Sequence, residues 1–195
     1  MIDFDARRTY RGIEEKLAAT TNPRHRAMLR MLLQHSKGEV EGDLDAVLGS
    51  LAPHPVYKGV RNGGAAPQPE GMDQVRDFYV REIFGAGRHV LESVKDRIVV
   101  DDHTIVTEGT IRVFQWGRDL AQAGAPVDDD EAAYLLSARV LIVWPFDAEG
   151  RIIGEESWSE PATMALEKVP DAEVPETFKA YIRRRSGTGS GTATA

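Results

Sequence analysis

Residues Tyr134–Thr163 read YLLSARVLIVWPFDAEGRIIGEESWSEPAT. A long apolar run, a turn at Asp147-Ala148-Glu149-Gly150 and a second run predict a β-hairpin. Successive strand side chains point to opposite faces, so Glu156, Trp158 and Glu160 share one face. That face is either wet or the wall of a pocket. The first strand is apolar on both faces, so both must be covered, and a second copy of the chain is the expected cover for the outer one.

Working outward, His89–Val100 and Thr104–Trp116 predict another hairpin, turned at Asp101-Asp102-His103. Gly117–Glu131 reads as an exposed loop and Asn62–Pro69 as a second loop. Upstream the periodicity is helical. A first helix is expected from about Asp5 to Ala19, interrupted by Asn22-Pro23. A longer helical span follows, carrying Met28, Leu29, Met31, Leu32, Leu33, Val40, Leu44, Val47, Leu48 and Leu51. Gly38 and Gly42 weaken its middle, and Pro53 and Pro55 end it, forcing extended backbone at His54. Helices are also expected from about Gly71 to Phe84 and from Pro175 to Arg185, before a low-complexity tail. Helices first and four strands after predict an α+β fold, with helices on one face of an antiparallel sheet. The expected division is a helical extension at 1–22, a domain at 23–168, a terminal helix at 169–185 and a disordered tail at 186–195.

The 195 residues suit one domain with a sizeable core. A formal charge of −7 argues against nucleic acid as a partner. The absence of cysteine excludes disulfides, thiol catalysis and thiolate metal sites. The five histidines show no ligand spacing, and the glycine pairs lack the lysine and hydroxyl of a phosphate loop, so neither metal nor cofactor is expected. No apolar run approaches the roughly 20 residues of a membrane span. With a charged N-terminal stretch and no apolar secretory core, a cytoplasmic protein is the expectation.

Four segments, in order, carry a family resemblance: GDLDAVLGSLAPHPVY, GMDQVRDFYV, RIVVDDHTIVTEG and GRIIGEESWSEPAT. Together they resemble the SnoaL-like branch of the nuclear transport factor 2 superfamily, over about Arg26–Leu166. The resemblance implies a cone, in which a curved sheet wraps a pocket that helices close. It also implies that Glu160 is a pocket acid, since Trp158, Glu160 and Thr163 match an aromatic, acid and threonine that often end the family's closing strand.

A carboxyl in such a cone is expected to have a raised pKa and to serve as general acid or base. Its alternative is an exposed strand end broken by Pro161. Arg139, among aliphatics, is expected to pair with Glu160 across the inner face, or else to form a structural or interface ion pair. Tyr57 offers a phenol to a developing oxyanion, as in ketosteroid isomerases of the superfamily, against a core or interface role. Trp158 and Glu156 would line the ligand, as would His54 if its prolines do not hold it outside. SARVLIV also resembles the Arg-x-Asp strand of limonene-type epoxide hydrolases. Carried over, Arg139 takes the arginine, Glu160 the second acid and Tyr57 the tyrosine, but Leu141 and Gly59 stand where an acid and an asparagine are required, so that chemistry is not expected. The expected function is binding of a hydrophobic, ring-containing small molecule, with cofactor-free proton transfer of isomerase, cyclase or dehydratase type. The alternative is a non-catalytic ligand-binding or dimerisation module.

Overall fold

Helix formation follows local chemistry at the start of the chain. In a computed structural model, which describes residues 2–61, 64–65 and 68–187, α1 spans Arg8–Ala19 and α2 spans Pro23–Glu41. Asn22 caps α2, its side-chain oxygen accepting from the backbone N–H groups of Arg24 (2.8 Å) and His25 (3.3 Å), with Pro23 at the first helical position. Gly42 closes α2 at φ 74°, in the left-handed region that favours glycine. The short α3, Leu44–Gly49, follows, capped by Asp43.

The strands are β1 (Leu51–Arg61), β2 (Gly64–Ala65), β3 (Leu91–Val100), β4 (Thr104–Trp116), β5 (Ala133–Pro145), β6 (Ile152–Ser159) and β7 (Ala165–Val169). Between β2 and β3 lie α4 (Met72–Phe78) and a π-helical turn, Tyr79–Phe84. Between β4 and β5 lies α5 (Gly117–Gln122), and α6 (Glu176–Gly187) ends the described chain. The seven strands form one sheet in the order β2-β1-β6-β5-β4-β3, with β7 also on β5. The sheet is mixed, because β1 runs parallel to β6. β6 and β7 share one edge of β5, β6 pairing with Val140–Val143 and β7 with Ala133–Ser137.

The α+β class stands, while the sheet is larger than four strands and is not purely antiparallel. β1 escaped notice because Pro53 and Pro55 argue against a strand. They fall where the β1–β6 register jumps, from Leu51↔Ile152 to Val56↔Gly154, so no regular ladder is interrupted. α5 occupies the start of the segment read as a loop. The expected tail from residue 188 onward, and part of the Asn62–Pro69 loop, lie outside the described residues.

Two cores sit on opposite faces of the sheet. On the concave face, Ile105, Trp144 and Ile152 pack against Met28, Leu29 and Leu32 of α2, Ile13 of α1, and Val75, Tyr79 and Ile83. On the convex face, Phe114, Trp116 and Leu135 pack beneath Phe178 and Tyr181 of α6. Phe4 stacks edge-on against Phe114 at 5.0 Å. Part of the cover expected from a second copy is therefore supplied by the chain's own terminal segments. Among the described residues no helix is long and apolar enough to cross a membrane.

Candidate functional site

Strand register decides which side chains face inward. Tyr57 stands opposite Glu155 in the parallel β1–β6 pair, and Lys58 stands opposite Glu156. Tyr57 is 5% exposed and belongs to the concave core, so its neighbour Glu155 faces the same way. Lys58 and Glu156 form an ion pair at 2.9 Å on the other side. Glu156, Trp158 and Glu160 do share a face, and it is the convex one. Trp158 is 40% exposed and stands opposite Leu141, itself 38% exposed.

The pocket placement of Glu160 is thus corrected. Glu160 is exposed and forms the kink from β6 to β7. Its backbone N–H donates to Arg139 O at 3.1 Å, and its own carbonyl accepts from the Thr163 hydroxyl at 2.7 Å. Thr163 Oγ1 also accepts the backbone N–H of Arg139 at 2.9 Å. The acid-and-threonine ending of this strand therefore does turn-forming work here. Arg139 is corrected too. Its guanidinium lies on the convex face and pairs with Asp96 and with Glu108 (2.6 Å), not with Glu160. The epoxide-hydrolase comparison loses its arginine by the same fact. His54 is exposed. Only Tyr57, of the six candidates, lies on the concave face.

Other residues gather around Tyr57. Its hydroxyl is 3.3 Å from that of Tyr79, and the Tyr79 hydroxyl is 3.0 Å from His35 Nε2. His35 Nδ1 is 2.9 Å from Ser50 Oγ, and the Ser50 hydroxyl donates to Val47 O at 2.6 Å. Tyr79 reaches this point from the junction of α4 with the π turn, where Gly85 N–H bonds Val80 O five residues back. His35 comes from α2, one turn before Glu39 on the same helix face.

Glu39 and Lys95 complete the polar cluster. Lys95 stands on the concave face of β3 opposite Gly109, and its Nζ donates to Thr9 O at 2.6 Å. Burial raises the Glu39 carboxyl to about 7, against the opposing pull of Lys95. Burial lowers the Lys95 amine to about 8, opposed by the charges of Glu39 and Glu155. Burial also holds both phenols well above their ordinary 10, and lowers His35 to about 4. Glu39, Lys95 and Glu155 nevertheless keep accessible surface. The cluster is crowded by protein without being sealed from solvent.

Next to Lys95 the concave face turns apolar. Gly109, Val140 and Ser159 continue its cross-strand row, and Ile111, Val113 and Leu136 lie in the rows beyond. These aliphatics are only half-buried. The arrangement is an apolar wall ending in a carboxyl that titrates near neutrality, an amine and two phenols. Among the described residues no cluster of three or more His, Asp or Glu could hold a metal ion. Asp101 caps its own turn, accepting from the backbone of His103 and Thr104 at 2.7 Å each.

Solved structures share this architecture. An NTF2-like protein of unknown function from Burkholderia pseudomallei matches 70% of this chain and 92% of its own, at 18% identity and a TM-score of 0.51. The fold is NTF2-like. A putative SnoaL-like polyketide cyclase from Jannaschia sp. CCS1 has the same NTF2-like frame, at 15% identity and a TM-score of 0.55, covering 72% of this chain and 90% of that one. So does the RV0760c protein of Mycobacterium tuberculosis in complex with estradiol-17beta-hemisuccinate, at 12% identity and a TM-score of 0.53, covering 71% and 98%. No family model and no curated protein matches the sequence. At these identities the likeness establishes the NTF2-like fold and leaves the chemistry to the residues themselves.

Sequence reasoning missed Glu39, His35, Tyr79 and Lys95. A signal for two of them was present. Met28, Leu32, His35 and Glu39 follow one helical stripe, so the apolar face of α2 is continued by an imidazole and a carboxyl. Polar groups that extend a buried stripe must find partners inside.

Proposed function

We propose that this chain binds a hydrophobic ring compound on its concave face and moves a proton on it without a cofactor. The observation that carries the reading is the Glu39 carboxyl, with a pKa of about 7, set beside two buried phenols and an apolar wall. A group half-ionised at neutral pH both takes and returns a proton, which isomerisation, cyclisation and dehydration all require. Tyr57 anchors one polar atom of the ligand, and the apolar stretch beyond Lys95 receives its rings. The acid–base role first expected of Glu160 passes to Glu39. Neighbours of the same fold named as a cyclase and as a complex with an estradiol derivative fit a ring-shaped ligand.

Exchange of the α-hydrogens of indanone for deuterium, followed by NMR in heavy water, tests this directly. The wild-type protein is expected to accelerate exchange, and Glu39→Gln to lower the acceleration by about 100-fold or more. Equal acceleration by wild type and variant would remove Glu39 from the chemistry. Wild type that accelerates nothing, yet binds ring compounds, would favour the non-catalytic module. We also propose that a second copy covers the convex patch around Leu141 and Trp158, the exposed apolar pair that α6 leaves open.

A further inference from the structure

The hydrogen-bond chain Tyr57–Tyr79–His35–Ser50–Val47 has a direction, and its far end sets it. A phenol pair alone can run either way. The Val47 carbonyl can only accept, so the Ser50 hydroxyl, 2.6 Å away, spends its single proton there. Ser50 Oγ then accepts from His35 Nδ1–H at 2.9 Å. A neutral imidazole protonated at Nδ1 is bare at Nε2, and it takes the Tyr79 proton at 3.0 Å. With that proton committed, Tyr79 Oη is an acceptor for the Tyr57 hydroxyl at 3.3 Å. The Tyr57 proton points to Tyr79, so what its oxygen can offer any further partner is a lone pair.

We propose that His35 fixes the direction of this chain so that Tyr57 meets a ligand as a hydrogen-bond acceptor, making the preferred ligand a ring compound that presents a hydroxyl rather than a carbonyl. The inference rests on the reading that ligands occupy the concave face beside Tyr57. A ligand hydroxyl donates to Tyr57 without disturbing any bond of the chain. A ligand carbonyl must draw the Tyr57 proton away from Tyr79, so one buried hydrogen bond is lost for the one gained. His35 is a positioning residue in this scheme. It need not touch the ligand, and its 0% exposure is consistent with that.

The test compares affinities for paired probes that differ only in this group, fluorenol with fluorenone and indanol with indanone. Wild type is expected to bind each alcohol roughly three- to ten-fold more tightly than its ketone. In Tyr79→Phe the Tyr57 proton has no internal acceptor, and in His35→Leu the Tyr79 proton is free to turn toward Tyr57. Both variants are expected to erase or invert the preference, a change that a merely structural loss, weakening both probes alike, does not produce. Should either variant fail to fold, nitrogen-15 NMR of wild-type His35 gives a separate reading, with a protonated Nδ1 and a bare Nε2 expected. Equal affinity for alcohol and ketone, a ketone preference, or a protonated Nε2 would overturn the inference and leave the ligand-binding reading standing. Binding of none of the four probes would remove both.

Discussion

Glu39 makes folding itself sensitive to pH. Its carboxyl holds a proton more tightly folded than unfolded, with a pKa of about 7 against an ordinary 4.5. Folding therefore takes up a proton between these values, and stability falls as pH rises through that window. His35 acts in the opposite sense. Its pKa is about 4 folded and 6.5 unfolded, so its contribution rises with pH between those values. The two slopes nearly cancel from about pH 4.5 to 6.5. Glu39→Gln is expected to unmask the His35 slope, giving a variant whose stability, relative to wild type, climbs from pH 5 to 7. The variant should end more stable by up to about 3 kcal/mol at pH 8. Urea denaturation at a series of pH values measures this, and parallel curves for the two proteins would contradict it. Tyr57 was legible as a candidate only through the family resemblance, which implies a phenol at the cone. Glu39 carried only the signal of the α2 stripe it continues, because its partner Lys95 lies on a strand far away in sequence.

At the level of elements, alternation along β6 was read correctly and its sign was not. Periodicity says which residues share a face, and only the partner strand says which face is inside. Lys58 opposite Glu156, and Tyr57 opposite Glu155, settle it through β1, the strand its prolines concealed. β3 shows a second limit. The register shifts between Lys95 and Arg97, so Asp96 and Arg97 both face outward, to Arg139 and Glu108, while Lys95 and Ile98 both face inward. A bulge of this kind is invisible to a period-two count. It depends on Gly109, where an added Cβ would stand 1.9 Å from the Val94 carbonyl oxygen. Gly109→Ala is expected to cost about 1–3 kcal/mol of stability, read by urea denaturation. An unchanged midpoint would show that the bulge does not need the glycine.

The whole molecule has two cores back to back, and the need for both was legible in the doubly apolar run of β5. What covers the convex face was only partly legible. α6 was expected from sequence, but its docking on Phe114 and Leu135 depends on contacts far apart in the chain. Where α6 stops, Leu141 and Trp158 stand in the open beside Arg139, Glu108 and Asp96, a patch carrying both charge signs and therefore able to meet its own copy. Leu141→Arg is expected to convert a dimer to a monomer in sedimentation velocity, with the fold intact. A wild-type protein that sediments as a monomer at high concentration would contradict the proposed pairing. The polar pole on the concave face is independent of that result.

Which carboxyl and which phenol meet the ligand decides which face of the sheet is functional. The most direct measurement is the affinity of fluorenol for wild type, Tyr57→Phe and Glu160→Gln by isothermal titration. Loss of the Tyr57 hydroxyl is expected to weaken binding about ten-fold, and the Glu160 change to leave it as it was. Weakening by Glu160→Gln with no effect of Tyr57→Phe would place the ligand on the other side of the sheet.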